Sequence, residues 1–421
     1  MSSDQFCWPA GMRSAAGWDL LHGGCNYLTF QKRTIVRQCR MASKMRILIF
    51  TQQLAAFRSG VGTYAYSLVS GLNASGHDIT VVTSSDEVLD IPGTRVIGLP
   101  RWALDPSPGG WVGLGIHFAR YLKTHARHFD IAHFTDAREG FAIRRCGTPV
   151  TATANDAYAL DWLNPDYPRA LFTDRRLRAC YYWLLRITEF RTYRRFNCLI
   201  ANSHHVRNRT VQGYRLDPQK VSVIYYGLDA CEPVSPSALH GSPSILFVGG
   251  NFLRKGLATL LDAVAQLKSS FARIQLHVVG RDANQAVLEN QARSLGIFDC
   301  VTFHGWKPNS TVQQMMAGAT MFVLPSLAEG FGLVYIEAMQ AGAPVIATRL
   351  GGAHEVFVEN TEAAFVAPGS VAELSAAIER IASDRNFAEA LCEGGRKAAS
   401  RFTVGSMVEQ TETLWKSILS Q

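Results

Sequence analysis

The sequence predicts an α/β protein built from two doubly wound parallel layers. Short runs of β-branched and aliphatic residues alternate with longer amphipathic stretches, the order that parallel βαβ units require. That alternation pauses in a Pro- and Ser-containing stretch from Gly227 to Pro243 and then restarts. At 421 residues the chain is also too long for one ordinary core, so two layers imply two domains.

Residues 1–44 lack clear periodicity and include Gly23-Gly24, and Met41 and Met45 lie just before the first strand. They are expected to be an extension outside the fold. Lys44 to Phe50 then opens like a buried parallel strand. A loop ending in Gly60-Val-Gly62 leads into a helix expected from Thr63 to about Ala74. Asp78–Thr83, Asp130–His133, Pro149–Thr153, Cys198–Ala201 and Val221–Tyr225 read as the remaining strands of a first domain, residues 45–228. The second domain, residues 229–403, repeats the pattern. Ser244–Val248, Ile274–Val279, Val301–Phe303, Met321–Leu324 and Val345–Ala347 read as its strands. Leu257, Leu260, Leu261, Val264 and Leu267 form a helical stripe, and Ser370-Val-Ala-Glu373 reads as a capping box. Two Rossmann-like halves facing across a cleft result.

Hydrophobic residues make up 47% of the chain and charged residues 18%, which suits a globular protein. No apolar run approaches the ~18 residues that span a bilayer, and the N-terminus lacks the apolar core of a secretory signal. Nine cysteines with no Cys-x-x-Cys pair point to a reducing cytosol and away from zinc. The net charge of +8 is shared equally between residues 1–44 and the rest. A basic balance suits anionic ligands or a membrane surface as well as nucleic acid. No nucleic-acid motif occurs, so nucleic acid is not an expected partner.

The chemistry concentrates near residue 330. Glu337 is the only charged residue between Gly330 and Thr348. On a buried helix a lone acid is costly unless something pairs with it. Glu329 precedes a Gly-Phe-Gly turn where that helix begins, and exposed N–H groups at a helix start favour an anion. Phe331, Gly332 and Leu333 would contribute through their backbones, since glycine lets the chain approach a ligand closely. Together these suggest a site for a molecule with phosphates and neighbouring hydroxyls, such as a nucleotide sugar.

The Glu329-x7-Glu337 spacing, with the flanking Glu-Gly-Phe-Gly-Leu and Glu-Ala-Met-x-Ala-Gly-x-Pro-Val strings, resembles the family-4 retaining glycosyltransferases; weaker similarity spans about residues 45–418. The resemblance implies the GT-B fold, with a last helix, about Val404 to Leu419, returning to the N-terminal domain, so that residues 404–421 complete it. It implies that the C-terminal domain binds the donor and the N-terminal domain the acceptor. It also implies that Glu337 accepts from the nucleotide ribose while Glu329 faces the donor sugar and its phosphate. A glycosidase pair is the enzyme rival, with carboxylates about 5–9.5 Å apart. Eight helical residues rise roughly 12 Å, so these two should not share one bond unless the Gly-Phe-Gly turn folds Glu329 back.

Gly249-Gly250-Asn-Phe-Leu-Arg254-Lys255-Gly256 follows a strand and precedes a helix, at the sheet edge where ligands bind. Lys255 offers a point charge and Arg254 a planar fork to a diphosphate. The family often carries an arginine at the position of Gly250. Gly60 and Gly62 resemble the family's glycine-rich loop over the donor phosphates. They also fit a dinucleotide fingerprint with Ala65 and Asp86, but nine residues separate Gly60 from the strand, which argues against NAD. Asn155-Asp156 occupies a place where many members carry a histidine facing the donor sugar. Asn155 can hydrogen-bond a hydroxyl but cannot act as a base; the family is thought to use the leaving phosphate instead. His133 is expected to be structural.

From Arg169 to Arg209 ten arginines and two acids are interleaved with aromatic residues. Arg175, Arg176 and Arg178 are therefore candidates for a carbohydrate or lipid-linked acceptor at a membrane surface. No Asp-x-Asp occurs, so no metal is expected to be required and no cofactor is implied. The expectation is a cytoplasmic or membrane-peripheral retaining glycosyltransferase, of the hexosyltransferase class, in glycan or polysaccharide assembly. Its rivals are a non-catalytic nucleotide-sugar-binding subunit, which Asn155 and Gly250 would suit, and a nucleotide-sugar epimerase of the same fold.

Overall fold

The computed structural model describes residues 44–54, 59–84, 91–98, 110–156, 183, 186–230, 234–237 and 239–421. Residues Met45–Gln421 form one compact unit. It contains two parallel sheets. The first has seven strands in the order β3-β2-β1-β4-β5-β6-β7: β1 (Arg46–Thr51), β2 (Asp78–Thr83), β3 (Arg95–Gly98), β4 (Ile131–Phe134), β5 (Val150–Ala154), β6 (Cys198–Ala201) and β7 (Val221–Val223). The second has six in the order β10-β9-β8-β11-β12-β13: β8 (Ser244–Val248), β9 (Gln275–Val279), β10 (Val301–Gly305), β11 (Met321–Val323), β12 (Val345–Thr348) and β13 (Ala364–Val366). In each sheet the strand order reverses beside the first strand, which opens a crevice at its carboxyl end. This is the GT-B arrangement of two Rossmann-like domains.

Side-chain alternation explains why the sheets are covered on both faces. Ile47 and Ile49 of β1 pack with Tyr64, Ala65, Leu68 and Leu72 of the helix α1 (Gly60–Ala74). Leu48 and Phe50, pointing the other way, pack with Leu114, Phe118 and Leu122. In the second half the expected stripe from Leu257 to Leu267 is buried along the helix that carries it.

Some expectations are corrected. Helix α1 begins at Gly60, not Thr63, so Gly60 and Gly62 form its first turn rather than the loop leading into it. Ser59 causes this: its side chain accepts from the Gly62 N–H at 3.0 Å and caps the helix. The capping box at Ser370 is half made. Ser370 accepts from Glu373 N–H at 3.3 Å, but Glu373 turns to the Ala367 N–H and Arg349 instead. Strands β3 and β13, at sheet edges, are additional to those the sequence suggested.

The last helix, Val404–Leu419, packs on α1 of the first half. Gly71 makes this close approach possible: a Cβ there would lie 2.6 Å from Val408 and 2.7 Å from Val404. Trp415 on this helix is fully buried beside the His133 ring. Among the described residues no helix is long and apolar enough to cross a membrane.

Candidate active site

The carboxyl ends of both sheets open into one cleft of about 640 Å³, a volume typical of small-molecule sites. From the N-terminal half come the start of α1 with Ser59 and Gly60, the ends of β5 and β6 with Asn155, Asp156 and Asn202, and Tyr226. From the C-terminal half come the Gly249–Lys255 turn and the Glu329–Leu333 turn with Glu337 behind it. Two helix starts therefore face the same space. Helix α1 is capped by Ser59. The helix Leu333–Ala341 has no side-chain cap and begins at Gly332 with φ of +89°, so its first N–H groups remain available to an anion.

Lys255 and Glu329 form a short ion pair, largely shielded from solvent. Ser326 donates to the same carboxylate oxygen at 3.2 Å. Arg254 donates from Nη1 to the Ala328 carbonyl at 2.9 Å, and its own carbonyl accepts from the Leu327 N–H at 2.8 Å. The Arg254–Lys255 turn is thus tied to the Leu327–Glu329 turn. Burial works to raise the Glu329 carboxyl, but Lys255 and Arg254 outweigh it and hold it below its ordinary value. Glu329 is therefore a carboxylate.

Glu337 differs. It lies one turn into its helix, and among the described residues no group pairs with it. The side chain is half-buried and lines the cleft. Partial desolvation still pushes its pKa up to about 7. The helix begins only at Leu333, so a continuous helical rise does not separate the two acids. Their partners do: one is held by Lys255, the other faces the cleft.

Asn155 uses both ends of its amide. Nδ2 donates to the Thr135 carbonyl at 2.9 Å, and Oδ1 accepts a short hydrogen bond from the Tyr226 hydroxyl. Its backbone carbonyl accepts from Asn202 Nδ2 at 2.8 Å. Asp156 is half-buried on the same cleft wall. A Cβ at Gly330 would overlap the Asn155 carbonyl oxygen, so the halves touch here through a glycine. His133 is a core residue, bonded to Thr151 at 2.9 Å and Thr153 at 3.1 Å, and burial lowers its pKa to about 3.

Arg175, Arg176 and Arg178 lie outside the described residues. The sequence reading missed Asn202, Tyr226, Arg281, Trp306 and Lys307, all on the cleft. Asn202 directly follows β6, at the kind of sheet edge where the Gly249–Gly256 turn was sought. Among the described residues no cluster of His, Cys, Asp and Glu is placed to hold a metal ion.

Comparison with known proteins fits this geometry. Residues 234–398 match the family model described as "Glycosyl transferases group 1", and residues 58–232 match "Glycosyltransferase Family 4". A glycogen synthase of Mycobacterium tuberculosis is 25% identical over 394 residues, covering 84% of this chain and 90% of that protein. The structure of sucrose-phosphate synthase from Thermosynechococcus elongatus superposes with a TM-score of 0.73 at 22% identity, over 89% of this chain and 99% of that one. Anabaena HepE, in complex with UDP and glucose, superposes with a TM-score of 0.67 at 21% identity, over 88% of this chain and all of that one (100%). The chain is a glycosyltransferase of the GT-B fold, related to the families those two models describe.

Proposed function

We propose that the protein is a retaining glycosyltransferase that moves a sugar from a nucleotide diphosphate donor to an acceptor hydroxyl in glycan or polysaccharide assembly. One observation carries this reading. An ionised Glu329 held by Lys255, and a Glu337 with which no described residue pairs, lie on one cleft with an uncapped helix start. A diphosphate suits that helix start, with Lys255 sharing its ammonium between Glu329 and phosphate. Neighbouring ribose hydroxyls suit Glu337, which has acceptor capacity and no partner among the described residues. Glu329, Asn155 and Asp156 then border the donor sugar. The likeness to HepE with UDP and glucose supports a nucleotide-sugar donor.

Retention of configuration follows, in this reading, from using the departing phosphate oxygen as the base. Of the three residues bordering the sugar, Asn155 cannot serve as a base and Glu329 is tied to Lys255, which leaves Asp156 as the one carboxylate that the phosphate must outcompete. The test is to incubate the protein with UDP-, GDP- and ADP-sugars and follow nucleotide release. NMR of the product then gives its anomeric configuration. Release of a nucleoside diphosphate with an unchanged anomeric centre is expected. An inverted product would overturn the retaining assignment, and no turnover of any donor would overturn the donor class.

A further inference from the structure

The N-terminus of α2 (His204–Tyr214) belongs to the N-terminal half but is capped by the C-terminal half. Ser203 caps it locally, accepting from the Val206 N–H at 3.1 Å. The same hydroxyl donates to the Gly330 carbonyl at 2.9 Å. The next two N–H groups run to a single carboxylate across the interface. His204 N–H donates to Glu355 Oε1 at 2.7 Å and His205 N–H to Oε2 at 2.8 Å. Glu355 stands on the short helix Gly352–Val356, whose first N–H returns to the Gly330 carbonyl at 2.9 Å. One carbonyl, at Gly330, is therefore bound from both halves.

Glu355 is exposed, so solvent screens its charge, but a carboxylate receiving two charge-assisted bonds at a helix N-terminus is a directional contact. A cap from within α2's own half would stabilise the helix equally well. Supplied from the other half, it also fixes where the halves meet. Gly330 adjoins Glu329, and Asn202, beside Ser203, holds the Asn155 carbonyl at 2.8 Å. Each side of this junction thus ends at a residue of the cleft.

We propose that Glu355 is a positioning residue for sugar transfer. Acting through the N-terminus of α2 and Gly330, it sets Asn155 and Asn202 against Glu329, and so decides whether the donor sugar passes to an acceptor or to water. The inference rests on the transferase reading above.

Two variants test it. Glu355→Gln is isosteric and removes the charge and one acceptor. His204→Pro keeps the Glu355 carboxyl group but deletes one donor at the first helical position, where proline is tolerated, and its ring stands where the N–H met the carboxylate at 2.7 Å, displacing it; the preceding Ser203 is extended (φ −163°) and accepts a following proline. With a donor that the wild type uses, both should lower the transfer rate roughly 10- to 100-fold, since small misplacements cost that much. Donor hydrolysis should persist and donor KM stay within about twofold. Small-angle scattering of the ligand-free variants should show a larger radius of gyration. A purely local cap would move neither the partition nor the scattering. Folded variants with the wild-type ratio of transfer to hydrolysis would overturn the proposal. If the wild type turns over no donor, the transferase reading fails by itself, and wild-type scattering from Glu355→Gln then refutes the clasp separately.

Discussion

Glu329 and Glu337 carry the same functional group and lie in different charge states. Lys255 and Arg254 keep Glu329 ionised, whereas Glu337 has only desolvation acting on it and titrates near 7. Their Gln variants should differ accordingly. Glu329→Gln should lower kcat and kcat/KM together, because charge develops beside it in the transition state. Glu337→Gln should raise KM with kcat largely kept, because the ribose does not change during reaction. A charged hydrogen bond is worth roughly 1.5–3 kcal/mol, so effects of about 10- to 100-fold are expected. Steady-state kinetics giving the opposite assignment would exchange the two roles. Glu337 also makes donor affinity depend on pH. Ribose hydroxyls bind the carboxylate, so binding releases a proton where Glu337 is protonated, and affinity rises through about pH 7 and levels above it. Calorimetry with a nucleotide sugar, whose phosphates do not titrate there, should show binding about tenfold weaker at pH 6 than at pH 8. Glu337→Gln should abolish the slope, and a slope that survives would place the titration elsewhere.

At the scale of elements, what was legible depended on how local the cause was. The stripe Leu257–Leu267 and the long buried strand at Arg46 announce themselves through their own periodicity. The start of α1 does not, because Ser59 outweighs the helix-breaking tendency of two glycines that follow it. Edge strands β3 and β13, of four and three residues, are no shorter than β4 and β11, which the sequence does suggest, so length does not account for their being passed over. The last helix is expected from resemblance alone, and its seat on α1 depends on a glycine whose purpose only packing reveals. Gly71→Val should therefore drive methyl groups into Val404 and Val408, which a Cβ would already crowd at 2.7 and 2.6 Å. Overpacking of this kind costs about 1–3 kcal/mol, and β-branching adds a smaller helix penalty. Urea unfolding should show the loss in midpoint without a change in slope. A variant as stable as the wild type would mean that the two helices separate without cost.

Across the whole molecule the same division holds. Two layers and a cleft could be read from the repeat of strand and helix, and Glu329, Lys255 and Glu337 from motif and resemblance. The bracing of Asn155 by Tyr226, and the cap that Glu355 lends to α2, join residues far apart in sequence and leave no local trace. The first 44 residues raise the remaining question at this scale. Both sheets and both core clusters lie within residues 45–421. Strand β1 is internal to its sheet, and its start is pinned: Met45 N–H donates to His77 Nδ1 at 3.2 Å, and Arg46 pairs with Asp130 at 2.7 Å. Met45 is itself buried. A chain lacking residues 1–40 keeps all of these contacts. Its unfolding free energy in urea should lie within about 0.5 kcal/mol of the full chain, the usual range for changes away from buried features. A nucleotide sugar at 100 times its Kd should stabilise both forms by about 2.7 kcal/mol. A chain lacking residues 1–46 should be less stable, because it loses the Met45 side chain and the Arg46 ion pair with Asp130. If the shorter deletion is insoluble or loses donor stabilisation, residues 1–40 contribute to the fold or the site. If the longer one is unharmed, the start of β1 is not where the first sheet is anchored.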